Sequence, residues 1–341
     1  MEDELKSGFA TLIQDGFRGM MATLLYLAGS ITHDVVVHGR EHVSDMHPKI
    51  VLSNHKRDLD SLLVGGVTYF ARGITHPNRR MIFALREDAF WSGFLDRYFG
   101  WPRMRRLFSW LTVKPYLFIM KVYPIGYVIT RADLPRIEGQ LARFADLLGR
   151  GRDLYWTPEG GLSADGRLGH FRAGFYRLVR ASHAPLRILP VTLCYDFMTT
   201  LRTRCSVRFG PEFEVDRSLP KQALERLARR AILQQLTLNV GHLAAATLRD
   251  LPPGVELSRL QLERRLLDHA RRYRQAGLAL ETRLTMGWTF RRRTAQFLGY
   301  ALRQGILERA GGGWRAAQGL DHPEMRYVIN ELSELERELA V

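Results

Sequence analysis

The sequence has few of the features that mark disulfide-stabilised or metal-binding proteins. Cysteine occurs only twice in 341 residues, at Cys194 and Cys205, and the spacing is not that of a metal site. We therefore expect a reducing compartment, no disulfide framework, and cysteines that pack as small apolar side chains.

Long apolar runs are also lacking, since no segment offers 18 uninterrupted apolar residues. Two stretches come nearest, 9–31 and 107–129, and charged residues interrupt both. Their mixture of aromatic, apolar and basic residues is typical of elements at a membrane–water boundary, although core helices can share it. The first residues, M-E-D-E-L-K, lack the basic start of a secretory signal, so we expect none.

Acidic residues are scarce relative to basic ones. Lys and Arg number 50 against 35 Asp and Glu, which gives a net charge of +15. A charge of this size favours polyanionic partners, such as nucleic acid, an anionic membrane surface, an acidic carrier protein or a phosphate-bearing substrate. The hydrophobic content of 46% allows a sizeable core in one large domain or two smaller ones.

Strands alternate with helices along most of the chain. Apolar and β-branched runs predict strands over 34–38, 50–53, 81–85, 127–129, 153–156, 187–195 and 205–209. Apolar residues spaced three and four apart predict helices over 58–70, 134–148 and 171–182. This alternation predicts an α/β fold, with a mixed sheet flanked by helices.

The pattern becomes mostly helical after residue 220. It predicts one long helix over 221–248, helices over 258–274 and 289–304, a strand–turn–strand over 305–317, and a final helix. We predict three regions: an N-terminal amphipathic helical segment (1–33), an α/β domain (34–219) and an α-rich C-terminal extension (220–341). A winged-helix-like arrangement is one interpretation of the extension.

The most informative segment is 50–60, I-V-L-S-N-H-K-R-D-L-D, in which a predicted strand leads into a turn. His55 lies in the turn, and Asp60 follows five positions later. A histidine oriented by a carboxylate suits general-base chemistry on a hydroxyl group. Asp58 is a rival carboxylate at shorter spacing. Lys56 and Arg57 flank the histidine, either as solvated charges or as contacts to a substrate phosphate.

A second segment, 157–163, reads T-P-E-G-G-L-S. Its glycines let the backbone come close to an anionic or carbonyl oxygen. His55, Arg131 and Glu159 each follow the end of a predicted strand. Because sites in α/β sheets lie at the carboxyl ends of strands, one edge of the sheet is expected to bring these three residues together.

Four motifs in this order resemble the signatures of the glycerolipid acyltransferases, the lysophosphatidate and glycerol-3-phosphate acyltransferases and their relatives. Asn54-His55, four residues and Asp60 resemble the first signature, and I-G-Y-V-I-T-R (125–131) resembles the second. The third corresponds to 157–163 and the fourth to L-P-V (189–191). The resemblance covers roughly 34–215, and its weight comes from the order of the motifs.

The resemblance implies an O-acyltransferase of phospholipid biosynthesis. In that interpretation, His55 takes the proton of the acceptor hydroxyl and Asp60 orients its imidazole. The implied substrate-binding residues are Asn54, Arg131, Glu159, Gly160, Gly161, Ser163 and Arg172. The implied donor is acyl-CoA or acyl carrier protein, and the acceptor is a glycerol-phosphate or lysophospholipid. No metal or organic cofactor is implied.

One position departs from the family pattern. Leu162 stands where the third signature usually has Arg, which weakens the case for a phosphorylated acceptor; Arg167 and Arg172 follow closely as possible replacements. Three alternatives remain: an unphosphorylated acceptor, a basic nucleic-acid-binding protein and a non-catalytic membrane scaffold. We expect a peripheral protein on the cytoplasmic face of a membrane, held there by anionic lipid.

Overall fold

The computed structural model describes residues 33–57, 60–86, 127–129, 137–163, 165–182, 185–198, 203–285 and 287–340, with scattered positions between 16 and 31. Its central sheet contains β1 (His33–His38), β2 (Lys49–Ser53), β3 (Met81–Arg86), β4 (Tyr127–Ile129), β5 (Asp153–Trp156), β6 (Arg187–Asp196), β7 (Thr203–Phe209) and β8 (Phe213–Glu214). The strand order is β1-β7-β6-β2-β5-β3-β4, and β8 also pairs with β6.

The sheet is mixed, as the sequence predicted. Strands β6, β2, β5, β3 and β4 run parallel to one another, and β1 runs parallel to β7. The pairs of β6 with β7 and with β8 are antiparallel. Every residue of β2 is buried, as expected for an inner strand with parallel neighbours on both sides.

Helices cover both faces of this sheet. The described part of the chain contains α1 (Asp60–Tyr69), α2 (Ile137–Gly149), α3 (Ala173–Ala181), α4 (Lys221–Leu233), α5 (Val240–Arg249), α6 (Arg259–Gln275), α7 (Gly287–Arg303) and α8 (Pro323–Leu339). Because side chains alternate along a strand, Ile50 and Leu52 face one core and Val51 faces the other. The first core is shared by α2 to α8, whereas α1 packs in the second.

The predicted single helix over 221–248 is wrong. Helix α4 ends at Leu233, and Leu236 and Leu238 then turn into the core around a short strand, β9 (Thr237–Leu238). Strand β9 pairs with β10 (Ala279–Leu280). The side chain of Asn239 then caps α5, accepting the backbone N–H of Gly241 at 2.9 Å.

A hairpin lies between α7 and α8 in the C-terminal region. Strands β11 (Leu307–Ala310) and β12 (Gly313–Ala316) are antiparallel, and Trp314 also exchanges backbone hydrogen bonds with Leu257. The predicted strand–turn–strand is confirmed here. From α5 onward the order is therefore α5, Leu257, α6, α7 and the β11–β12 hairpin, and α8 follows the hairpin.

The described positions between 16 and 31 are helical, and Ala22 among them is buried. The ring of Tyr26 meets that of Phe70 edge to face, 6.0 Å between centroids. Among the described residues, no helix is both long and apolar enough to cross a bilayer. Most of the segment 107–129, predicted to be interfacial, lies outside the described residues.

Candidate active site

Three parallel strands end at the same edge of the sheet and deliver the residues of the candidate site. Strand β2 leads into the turn with His55, β5 leads into the turn with Glu159, and β6 carries Tyr195 near its end. Strand β2 pairs with both neighbours, with Leu52 beside Trp156 and Ser53 beside Val191. The shared direction of the strands brings these segments together, as expected for an α/β sheet.

His55 and Asp60 lie side by side. The Nδ1 atom of His55 is 3.4 Å from Oδ2 of Asp60. The side chain of His55 is 17% exposed, whereas that of Asp60 is fully buried. The carboxylate therefore holds one ring nitrogen, which leaves Nε2 for a substrate proton. A long hydrogen bond of this kind is common in unliganded sites.

Asp60 is fixed by donors on three sides. Its Oδ2 accepts the backbone N–H of Arg57 at 2.7 Å and that of Lys56. Its Oδ1 accepts the hydroxyl of Tyr195, and burial is the main cause that raises the pKa of Tyr195. The turn thus wraps around the carboxylate before α1 begins, so the spacing of five residues has a direct structural reason.

Glu159 ties two backbone segments together. Its Oε1 accepts the N–H of His55 at 2.9 Å, and its Oε2 accepts the N–H of Gly169 at 2.7 Å. Burial raises the pKa of Glu159, while these two N–H groups lower it in part. The carboxylate therefore positions the backbone of His55 rather than pointing into solvent.

The glycine turn next to Glu159 is open to solvent. Gly160 has φ +64°, which favours glycine, and its N–H donates to the carbonyl of Thr157 at 3.3 Å. The side chain of Leu162 is 42% exposed, and that of Arg172 is exposed and donates to the Glu159 carbonyl at 3.3 Å. Three of the predicted substrate-binding residues, Gly160, Gly161 and Arg172, are therefore accessible to solvent.

Asn54 and Ser163 lie deeper and have structural partners. The amide of Asn54 donates to the carbonyl of Leu193 at 3.0 Å and accepts its N–H at 2.8 Å, which fastens the turn to β6. Ser163 donates its N–H to the carbonyl of His55 at 2.8 Å. Arg131 and Asp58 lie outside the described residues, so their predicted roles stay predictions.

The two basic residues after His55 differ in their surroundings. Lys56 is 6% exposed, and its ammonium pairs with Glu331 of α8. It is neither a solvated charge nor an open phosphate contact. Arg57 instead stacks between two rings, with its guanidinium carbon 4.6 Å from the centroid of Tyr195 and 4.7 Å from that of Phe197.

One group of side chains within the described ranges has the spacing of metal ligands. Atoms of Cys194, His242 and Glu331 lie within 4.8 Å of one another, all buried. Burial raises the pKa of Cys194 to about 12, so the thiol keeps its proton, and Lys56 already pairs with Glu331. A cation at this place would have to displace the ammonium of Lys56 from Glu331, so the charge of this donor set does not fit a metal.

Three residues that support the site were not predicted from the sequence. Tyr195 lies four positions after the L-P-V motif, and nothing in the sequence indicates its hydrogen bond to Asp60. Glu331 and His242 lie far along the chain, and their only sequence signal is a polar residue at an apolar position of a helix. Such a signal predicts a buried contact, but it does not identify the partner.

Comparisons with known proteins found a family model and a solved structure to which this chain is similar. A family model described as Acyltransferase matches residues 34–194, which include His55, Asp60 and Glu159. No curated protein matches the chain. Among solved structures, the chain is similar to the 1-acyl-sn-glycerophosphate (LPA) acyltransferase PlsC from Thermotoga maritima. The likeness has 14% identity and a TM-score of 0.42, and covers 67% of this chain and 86% of that one.

The matched segment starts within β1 and ends within β6, so it contains the strands that deliver the site and leaves α4 to α8 outside. The strands at its two ends, β1 and β6, both pair with β7 in the sheet. Residues 34–194 of this chain therefore match the model of an acyltransferase domain, and the strands of this stretch carry the candidate site.

Proposed function

We propose that the protein transfers a fatty acyl group from a thioester donor, acyl-CoA or acyl carrier protein, to the hydroxyl of a glycerol-phosphate or lysophospholipid. The observation that carries the proposal is the His55–Asp60 pair at the carboxyl edge of the sheet, with Asp60 locked by the backbone and by Tyr195. The match of residues 34–194 to the Acyltransferase family model supports the reaction class.

The proposed reaction needs one base and one oxyanion site. Nε2 of His55 takes the proton of the acceptor hydroxyl as its oxygen attacks the thioester carbonyl carbon. The tetrahedral intermediate collapses, the carbon–sulfur bond breaks, and the departing thiolate takes the proton from the imidazolium. A positioned base of this kind contributes about 10²–10⁴-fold.

The glycine turn is the proposed oxyanion site. The N–H of Gly160 already donates to Thr157, so the N–H of Gly161 is the better candidate donor. Glu159, the residue before this turn, is itself fixed, because its carboxylate accepts the backbone N–H groups of His55 and Gly169.

The acceptor's phosphate needs a cation near His55. The guanidinium of Arg57 is a candidate, because it lies two positions from His55 and two aromatic rings hold it in place. Arg172 is exposed beside the glycine turn and is a second candidate. These positions support a phosphorylated acceptor despite Leu162, and an unphosphorylated acceptor is the alternative.

The test of the proposal is mass-spectrometric detection of acyl transfer by the purified chain. Donors would be acyl-CoA and acyl carrier protein, and acceptors glycerol-3-phosphate, lysophosphatidate, lysophospholipids and unphosphorylated alcohols. His55→Ala is expected to remove turnover while far-UV circular dichroism stays unchanged, because the histidine lies in an accessible turn. Near-native turnover by the variant contradicts the mechanism, and a product on alcohols alone rejects the phosphorylated acceptor.

A peripheral position on the cytoplasmic face of a membrane is part of the proposal. Helix α7 contains four arginines and no acidic residue, and Trp288 at its start is 69% exposed. Arg291 and Arg292 are exposed on the next turn. An exposed indole among arginines suits the headgroup region of an anionic membrane, where each cation contributes on the order of 1 kcal/mol.

Vesicle sedimentation tests this surface. Phosphatidylglycerol vesicles are expected to retain the protein more strongly than phosphatidylcholine vesicles, and Arg291→Ser should weaken that retention. Arg150→Ser is the matched control, because it removes an exposed arginine that precedes β5, at the opposite edge of the sheet. Equal losses in both variants would mean that retention reflects net charge alone.

Binding of duplex nucleic acid is the second candidate function. It is favoured by the order α5, Leu257, α6, α7 and the β11–β12 hairpin, with Leu257 paired to Trp314, which resembles the order of a winged helix. Retention on duplex DNA above that on anionic vesicles at equal salt would support this candidate over the membrane.

A further inference from the structure

The C-terminal helix α8 reaches the residue next to His55. The ammonium of Lys56 pairs with the carboxylate of Glu331, and both side chains are almost fully buried. The same ammonium lies 5.7 Å from the ring centroid of Tyr327, also on α8. His242 of α5 approaches the second oxygen of Glu331, Nε2 to Oε2 3.2 Å. The positive charge of Lys56, next to His55, is therefore balanced by Glu331 of α8. This helix lies outside the family segment, residues 34–194.

A second route from α8 ends at the backbone of His55 itself. Glu334 accepts the N–H of Leu168 at 2.5 Å and pairs with Arg229. Arg229 donates to the carbonyl of Gly169 at 2.7 Å. The N–H of Gly169 donates to Glu159, which in turn accepts the N–H of His55.

The loop between these routes leaves little space against α8. Gly166 has φ +90°, and a Cβ placed there would come within 2.2 Å of the Tyr327 carbonyl oxygen. Asn330 donates to the carbonyl of Asp165 at 3.0 Å. The loop therefore rests directly on the backbone of α8, so the position of the helix sets the position of the loop.

We propose that α8 positions the catalytic turn, with Lys56 and Glu331 as positioning residues that act through the backbone of His55. The inference rests on the proposed general-base role of His55 and extends it to residues outside the family segment. A buried ammonium without its carboxylate would move toward water and carry the adjacent His55 with it. A displacement of about 1 Å at a reacting group can cost about 10²-fold in rate.

The experiment compares Glu331→Gln and Lys56→Met with wild type in the full chain. Each variant is expected to lower kcat about 10- to 100-fold, with the KM of donor and acceptor changed less than about 3-fold. The kcat of the double variant should be no lower than that of the less active single variant, because the double variant removes both buried charges together. Wild-type kcat in either single variant, or losses that multiply in the double, would overturn the proposal.

The matched control is Glu336→Gln on the same helix. Glu336 pairs with Arg249 at 2.6 Å and accepts the hydroxyl of Tyr273 at 2.7 Å, away from the turn. It is expected to lower thermal stability while keeping the kcat of the folded protein. An equal loss of kcat in this control would reduce Glu331 to a general structural role and overturn the proposal.

A readout without turnover separates this inference from the proposed function. The imidazole signal of His55, assigned in NMR spectra by its loss in His55→Ala, should shift in Glu331→Gln and stay in place in Glu336→Gln. If wild type transfers no acyl group, the proposed function fails, while this shift still reports positioning. An unmoved His55 signal in Glu331→Gln contradicts the positioning role, whatever the activity.

Discussion

The segment 34–194 and the C-terminal helices hold several of their carboxylates in different ways. In the segment, Asp60 and Glu159 accept backbone N–H groups of nearby turns. In the C-terminal helices, Glu331 and Glu336 pair with the side-chain cations Lys56 and Arg249. The backbone donors to Asp60 lie in its own turn, whereas the cations paired with Glu331 and Glu336 come from elements distant in sequence.

This difference distinguishes the residues proposed to react from the residues that hold them in place. The groups proposed to react, His55 and Asp60, lie on one short turn that a motif can specify, because they are only five positions apart. The groups that balance buried charge lie on α5 and α8, beyond residue 194, where the family match ends. A family match therefore locates the reacting groups and leaves out part of the structure that holds them.

The largest expected effect comes from the local side of the comparison. Asp60→Asn keeps the shape of the side chain but removes the charge that orients His55 and stabilises its imidazolium. We expect kcat to fall by about 10²–10⁴-fold, with little change in KM. Steady-state assays on the best acceptor measure this. A loss below about 10-fold would mean that Asp60 serves the turn alone.

A buried leucine in each region tests whether the two regions unfold together. Leu52 of β2 and Leu266 of α6 are both fully buried in one core. Truncation to Ala at either site should cost about 2–5 kcal/mol of unfolding free energy. We expect a single urea transition, with coincident fluorescence and circular dichroism curves in both variants. Two separated transitions in Leu266→Ala would show that the C-terminal helices unfold alone.

A pH dependence of stability is also expected to arise in the C-terminal region. Burial, with Lys56 nearby, lowers the pKa of His242 to about 3, below its ordinary value of 6.5. The unfolded chain therefore binds a proton that the folded chain refuses. Stability from this group is complete above pH 6.5 and falls by about 1.4 kcal/mol per pH unit toward pH 3.

Urea midpoints between pH 7 and pH 4 test this dependence. The groups facing His242 are Lys56, Cys194 and Glu331, so the comparison uses His242→Gln, which removes the titrating ring while keeping a polar side chain. The slope of stability against pH should be shallower in the variant. The same slope in both proteins would assign the dependence to other groups.

Most of the sheet could be predicted from the sequence. Strands such as 153–156 and 127–129 were confirmed to the residue, because an apolar or β-branched run bounded by turn residues has few other solutions. The predicted helix over 221–248 failed because helical periodicity alone does not register a short break. The capping side chain of Asn239 is the signal that would have placed this break.

The candidate site divides along the same line. The sequence by itself determined that His55 and Asp60 share one turn and that the Glu159 turn follows a parallel strand, because these relations depend on neighbouring residues. Only the tertiary structure decided that Tyr195, 135 positions from Asp60, donates to its carboxylate, and that Lys56 lies buried against Glu331. Burial of charge depends on which surfaces meet, and packing fixes that only when the whole chain has folded.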